Sequence, residues 1–284
     1  MREGIQTEFS RNGYVILEDF FSEEEVAELR EAGVKLTENL PEESKRVIFS
    51  TTKTQQFQNK NQYFLDSADK ISVFFEEGAL DENGKLLVEP GIALNKVGHA
   101  LHWLNPTFKK YTFCEKVKET CFQLGLADPV IVQSMYIYKN PGLGGEVVPH
   151  QDSTYLHTEP QRLIGFWIAL DDATIGCLWF APGSHKGGVH RRMIRNPDPN
   201  DEELFIFTAQ SPTYPTSNFT ATPVKKGTCV LIHGEVVHKS APNKSPNPRH
   251  AYTFHVVDLK NSTYSPENWL QLPSGQTFPG VYKN

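Results

Sequence analysis

The sequence predicts a mainly β protein with flanking helices, the helices gathered in its N-terminal half. Past Pro129 the chain breaks into short runs rich in β-branched and aromatic residues, each bounded by Gly, Pro or Asn. Before Pro129, apolar residues recur at helical spacing. Strands and helices never alternate in the manner of a parallel, doubly wound sheet. Many short strands at close spacing point to a sandwich or barrel.

Taken in order, residues 14–17 (Tyr-Val-Ile-Leu) read as a short strand. Ser22 and Glu25 form a capping box that opens a helix, with Val26, Leu29, Gly33 and Leu36 as its apolar stripe. Residues 40–62, rich in Lys, Thr, Gln and Asn, read as a mobile loop. Residues 71–75 (Ile-Ser-Val-Phe-Phe) read as a strand and 81–84 (Asp-Glu-Asn-Gly) as a turn. Between 92 and 126 helical spacing returns at Phe113, Val117, Cys121 and Leu124, broken near Pro106. The strands that follow are 130–138, 163–170, 177–180, 204–208, 228–233, 235–238 and 251–257. With no repeat and no linker, 1–284 is expected to be one domain. Within it, 1–128 is mostly helical support, 129–260 the β core and 261–284 a C-terminal tail.

Composition narrows the function classes. The 284 residues are 38% hydrophobic and 11% aromatic, enough for a core that needs no disulfide or structural metal. Against 34 acidic residues stand 28 basic ones, a net charge of −6 that argues against nucleic-acid binding. No run of 18 apolar residues is present, so a membrane helix is excluded. Met1 to Gly13 has no apolar signal core. Cys114, Cys121, Cys177 and Cys229 form no C-x-x-C pair and read as core thiols of a reducing compartment. The C-terminus, Val281-Tyr-Lys-Asn284, is no peroxisomal address. A cytoplasmic or nuclear location is expected, and the oligomeric state is not readable.

The chemistry begins with His150-Gln-Asp152. In an extended segment, residues i and i+2 share a face, so both side chains can reach one point. Such a triplet alone says little in a chain with ten histidines. A second group follows an apolar run: His233-Gly-Glu-Val-Val-His238-Lys-Ser240, in which His238 and Ser240 share a face. Beyond the Pro/Asn-rich stretch 242–248 comes Arg249, read as opening the second strand of a hairpin. Two histidines and a carboxylate form the ligand set of non-haem Fe(II) oxygenases. A dicarboxylate co-substrate would need a cation for its far end, and Arg offers a bidentate fork.

With these residues in place, the chain resembles the Fe(II)/2-oxoglutarate oxygenases of the phytanoyl-CoA dioxygenase family, from Gly13-Tyr-Val-Ile-Leu to Arg249-His-Ala-Tyr-Thr-Phe254. The most specific pieces are Leu94-Asn-Lys-Val97, Val148-Pro-His-Gln-Asp152, Ala181-Pro-Gly-Ser-His185 and the 233–240 segment. The resemblance implies a double-stranded β-helix, or jelly-roll, core with N-terminal helices buttressing one sheet. It implies His150, Asp152 and His238 as iron ligands, with His238 preferred over His233 because Ser240 and Arg249 keep the family spacing from it. It implies Arg249 and Ser240 at the distal carboxylate of 2-oxoglutarate, and Lys96, Met135 and Trp167 along the same pocket. The implied activity converts 2-oxoglutarate and O2 to succinate and CO2 while hydroxylating a small or acyl-type substrate, with ascorbate as reductant. The substrate is expected to be anionic or acyl-CoA-like.

Competing readings are a cupin-type metalloenzyme that uses the same ligands without 2-oxoglutarate, and a non-catalytic jelly-roll binding module. Ser240 and Arg249 separate the first from the oxygenase, since only the oxygenase needs a distal carboxylate anchor. His157 and His255 read as ordinary core histidines, and His99 and His102 as packing residues on a helical stretch. The basic loop 184–195 reads equally as an anion-steering lid or as a solvated loop.

Overall fold

The structure, a computed structural model, describes residues 4–49, 51 and 61–284. Helix α1 (Ile5–Asn12) leads into β1 (Tyr14–Leu17), and α2 (Glu23–Lys35) follows. The Ser22 hydroxyl accepts from the Glu25 amide while the Glu25 carboxylate accepts from the Ser22 amide, which is the predicted capping box. β2 (Val47–Ile48) and the single turn α3 (Gln62–Leu65) flank residues 50 and 52–60, the part of the predicted 40–62 loop that lies outside the described residues. Next come β3 (Ile71–Phe75), β4 (Leu94–His99), α4 (Leu101–Leu104), α5 (Pro106–Thr112) and α6 (Glu115–Gln123).

The remaining strands are β5 (Pro129–Ile137), β6 (Val147–His150), β7 (Thr158–Glu159), β8 (Leu163–Ala169), β9 (Ala173–Phe180), β10 (Met193–Arg195), β11 (Phe205–Phe207) and β12 (Thr220–Val224). They end with β13 (Cys229–His233), β14 (His238–Ser240), β15 (Ala251–Asp258) and β16 (Thr263–Tyr264). They build an eight-stranded sheet, β1-β13-β8-β15-β5-β4-β3-β2, and a four-stranded sheet, β12-β9-β14-β6. This is the jelly-roll core, mainly β with its helices at one side, as the sequence predicts.

Alternation sorts the large sheet into two faces. Phe166, Ile168, Tyr252, Phe254, Tyr136 and Leu231 pack in one apolar core with Leu29, Phe108, Val117 and Cys121 of the helices. Trp167, Thr253, Met135 and Ile232 point the other way, into a chamber. A bulge in β5 changes the parity: His255 pairs with Gln133 but Val256 with Ile131, so Val132 is the extra residue. Ile131 therefore joins the helix-side core while Gln133, Met135 and Ile137 line the chamber.

Three sequence expectations are corrected. Residues 94–99, assigned to a helical stretch, are strand β4, because Leu94-Asn-Lys-Val is paired on both sides by β3 and β5. Residues 235–238 form a tight turn, and the strand starts where that run ends, at His238. Arg249 does not open a hairpin partner of 238–240. β14 pairs with β6 and β9 in the small sheet, whereas β15 pairs with β5 and β8 in the large one. Pro242, Pro246 and Pro248 lack the amide donors that a ladder needs, so the link crosses between sheets.

Candidate metal centre and co-substrate chamber

His150 closes β6 and pairs with His238, the first residue of β14. Gln151 is extended, with φ −113 and ψ 138, so Asp152 returns to the face of His150 and opens a 3-10 turn, Asp152–Thr154. One ligand atom from each of His150, Asp152 and His238 lies within 4.8 Å of the other two. Asp152 Oδ1 stands 3.5 Å from His150 Nε2 and 3.6 Å from His238 Nε2. The Nδ1 atoms face carbonyls, at 2.9 Å from Val148 O and 3.1 Å from Val236 O. A carbonyl can only accept, so each Nδ1 carries the proton and each Nε2 presents a bare lone pair. Two such nitrogens and a carboxylate oxygen on one side of a common point suit a divalent metal with open positions.

The electrostatics keep Asp152 and His238 deprotonated. Burial alone would raise the Asp152 pKa, but the imidazoles of His238, His255 and His150 outweigh it and hold the carboxyl well below its usual range. Burial, then the neighbouring His150, pushes His238 down to about 4. The second carboxylate oxygen is occupied: His255 Nε2 lies 3.2 Å from Asp152 Oδ2. His255, read from sequence as an ordinary core histidine, therefore sits directly against a candidate ligand. Gly165 leaves room for the contact, since a Cβ there would lie 3.3 Å from Oδ2. Gln151, between the motif residues, points away: it donates to Gly188 O at 2.9 Å and Glu235 O at 2.7 Å. It thereby ties the turn before His238 to the motif.

The other predicted residues line the same chamber: Lys96 from β4, Met135 from β5, Trp167 from β8, Ser240 from β14, and Arg249 from the crossing link. Arg249 is buried, with its guanidinium 5.3 Å from the centre of the Trp167 ring. Its Nε and Nη1 donors are buried without a partner, which fits an anion supplied from outside the chain. Lys96 sits 3.3 Å from the Phe49 ring centroid, and burial pushes its pKa down to about 7. Phe64, Tyr155, Phe207 and Trp269, with Met193 beside them, add a largely aromatic wall to the chamber.

Other residues fall elsewhere than expected, or were missed. His233 faces the opposite side of β13 from Ile232, its ring centroid 4.8 Å from that of His185 with the two rings tilted, away from the ligands. His102 is on α4, buried, with Nδ1 2.7 Å from Ser134 Oγ. His99 ends β4 and lines the chamber. Arg192 bonds Glu267 and Ser265, and Arg195 bonds the Trp269 carbonyl, so these two charges of the basic loop fasten the C-terminal segment. Lys139 was missed. It is buried, and its Nζ donates to Ser240 Oγ at 2.8 Å and Gly145 O at 2.7 Å. A lysine at a strand end carries no signal in the sequence.

Comparison with known proteins agrees with this geometry. The family model described as "Phytanoyl-CoA dioxygenase (PhyH)" matches residues 9–251. The Danio rerio protein "Phytanoyl-CoA dioxygenase domain-containing protein 1" is 47% identical over 281 residues, covering 96% of each chain. "Phytanoyl-CoA dioxygenase 1" of Oryza sativa subsp. japonica is 46% identical, over 93% of this chain and 91% of its own. Among solved structures, the α-ketoglutarate-dependent epimerase SnoN superposes with a TM-score of 0.63 at 16% identity, over 98% of this chain and 97% of its own. EctD from S. alaskensis, solved with 2-oxoglutarate and 5-hydroxyectoine, gives 0.61 at 19%, over 92% and 79%. These two share the fold. With a family model matched over most of its length and relatives near half identical from end to end, the chain belongs to the phytanoyl-CoA dioxygenase family.

Proposed function

We propose that this chain, a 2-oxoglutarate-dependent dioxygenase by family, holds Fe(II) on His150, Asp152 and His238 and converts 2-oxoglutarate and O2 to succinate and CO2, with hydroxylation of a small or acyl-type substrate. The observation that carries the reading is the pairing of two features in one chamber. One is a set of three converging donors whose protons are already placed elsewhere. The other is a buried guanidinium with two donors unused. The second favours a 2-oxoglutarate enzyme over a cupin-type metalloenzyme, which has no use for a buried cation of that kind, and over a binding module.

Bound iron would supply O2 activation coupled to oxidation of the keto acid. The chain's residues do the rest. His150 and His238 offer lone pairs because backbone carbonyls hold their other protons. Asp152 offers Oδ1 because His255 engages Oδ2. Arg249 and Ser240 receive the distal carboxylate, which fixes the keto end towards the ligands. Trp167, Met135 and Lys96 wall the co-substrate, and the aromatic side excludes water from the reacting centre. The one-domain reading, 1–284, is supported by a chamber that draws Lys96 from the N-terminal half and Arg249 from the C-terminal half.

The test is release of CO2 from 2-oxoglutarate with Fe(II), with ascorbate present to keep the metal reduced. Wild-type protein is expected to form succinate in an iron-dependent manner, and Asp152→Ala to form none. Succinate formed by Asp152→Ala at the wild-type rate would overturn the ligand assignment. No release by the wild type with any candidate substrate would overturn the enzymatic reading.

A further inference from the structure

We infer that Lys139 is a positioning residue for the distal carboxylate of 2-oxoglutarate: its ammonium holds Ser240 so that the serine hydroxyl donates to the carboxylate beside Arg249. The inference rests on the 2-oxoglutarate reading above. It starts from the hydrogen-bond inventory. An ammonium can only donate, so in the 2.8 Å contact Ser240 Oγ is the acceptor. A hydroxyl has one proton, and with Oγ accepting from Lys139 that proton is free to point into the chamber. Arg249 Nε and Nη1 are two more unused donors at the same site. One carboxylate has about four acceptor positions and can satisfy all three.

The backbone is built to keep the ammonium there. Lys139 has φ 38, a left-handed conformation that is uncommon for a residue with a side chain. The loop that follows doubles back on it: a Cβ at Gly144 would lie 2.7 Å from the Lys139 carbonyl carbon and 2.8 Å from Asn140 O. Only glycine permits that return, which brings the Gly145 carbonyl to Lys139 Nζ. The Lys139 carbonyl also accepts from the Arg249 amide at 3.3 Å and from Asn243 Nδ2 at 2.8 Å, tying its position to the arginine. Burial, then the Arg249 charge, pushes the Lys139 pKa well below its ordinary value, while Glu76 and Glu146 support the charged form. An incoming carboxylate adds to the supporting side, so keeping Lys139 charged and binding the dicarboxylate reinforce one another.

The experiment is an anaerobic titration of the Fe(II) protein, following the metal-to-ligand charge-transfer absorption. The titrants are 2-oxoglutarate and 2-oxovalerate, which has the same chain length but a methyl group for the distal carboxylate. The proteins are wild type, Lys139→Met, Lys139→Gln, Ser240→Ala and the Lys139→Met/Ser240→Ala pair, with Mn(II) binding alone as a control and thermal melting to verify folding. Loss of one charge-assisted hydrogen bond predicts roughly 10- to 100-fold weaker 2-oxoglutarate binding by Lys139→Met. The affinities for 2-oxovalerate and for Mn(II) should stay within about twofold of wild type, since neither involves the distal carboxylate. Lys139→Gln, which keeps a donor, should recover part of the loss, and it carries the test if Lys139→Met does not fold. In the Ser240→Ala background, Lys139→Met should cost less than half as much on a logarithmic scale. Lys139→Met with 2-oxoglutarate affinity within twofold of wild type, equal losses for both keto acids, or full additivity with Ser240→Ala would each overturn the role. Wild-type protein that binds Mn(II) but neither keto acid would instead overturn the functional reading beneath it.

Discussion

At the scale of single residues, the candidate centre depends on groups that touch the ligands without being ligands. His255 takes one oxygen of Asp152 and leaves the other for metal. Partners of this kind typically govern 10- to 100-fold in metal affinity. His255→Ala is therefore expected to bind Mn(II) or Co(II) 10- to 100-fold more weakly while keeping its fold, measured by calorimetric titration. Unchanged affinity would mean that Asp152 orients itself. The pairing of His150 with Asp152 was legible in the sequence because its spacing follows a local rule, i and i+2 on one face. His255 and Lys139 were not. The first reaches Asp152 from the opposite sheet, across 103 positions of chain by its numbering, and the second acts through Ser240, 101 positions away. Local pattern carries no record of such meetings.

At the scale of elements, α2 shows how tertiary contact can reverse a propensity. Replacing a helical glycine by alanine ordinarily stabilises a helix by about 1 kcal/mol. At Gly33 a Cβ would fall 2.0 Å from the Tyr136 ring, and the Tyr138 hydroxyl donates to the Gly33 carbonyl. Gly33→Ala is thus expected to destabilise the protein by about 1–3 kcal/mol through overpacking, seen as a lower denaturation midpoint. Ser22→Ala should cost about 1 kcal/mol through the lost cap. A stabilised Gly33→Ala would show that α2 can shift off the sheet. The capping box was readable because its two residues lie three apart. The bulge that sends Ile131 and Gln133 to opposite faces was not, since the β5 sequence shows no break at Val132. Likewise the basic loop looked free in sequence, but Arg192 and Arg195 already bond Ser265, Glu267 and Trp269.

At the scale of the whole molecule, buried histidines set an acid limit on stability. Away from the metal centre, burial pushes His102 down to about 3 and His250 down to about 2. In the folded chain both stay neutral well below the ordinary pKa of 6.5, whereas the unfolded chain takes up a proton at each as pH falls through 6.5. The unfolded state thus binds more protons in that window, and stability falls with falling pH, by up to about 1.4 kcal/mol per histidine per pH unit. The melting temperature of the metal-free protein is expected to decline steadily from pH 6.5 towards pH 4. His102→Gln and His250→Gln should flatten that decline, measured by thermal scans across the range. An undiminished slope in both variants would place the acid sensitivity elsewhere.

The sequence by itself determined the residue types and spacings that chemistry requires: a histidine and a carboxylate two apart, a histidine and a hydroxyl two apart, and a cation beyond a proline-rich link. It also determined half of the described strands and the capped helix, because these obey periodicities of two and 3.6 within a few neighbouring residues. Only the tertiary structure decided which histidine joins Asp152, because strand parity sends His233 outward and the turn at 234–237 resets it for His238. Only it placed Arg249 across from β14 rather than beside it, since the link crosses between sheets. The same crossing leaves the guanidinium buried with two donors free, in one chamber with a serine whose hydroxyl oxygen accepts from a distant lysine. Those are relations between segments far apart in the chain, and such relations exist only once the two sheets have closed on each other.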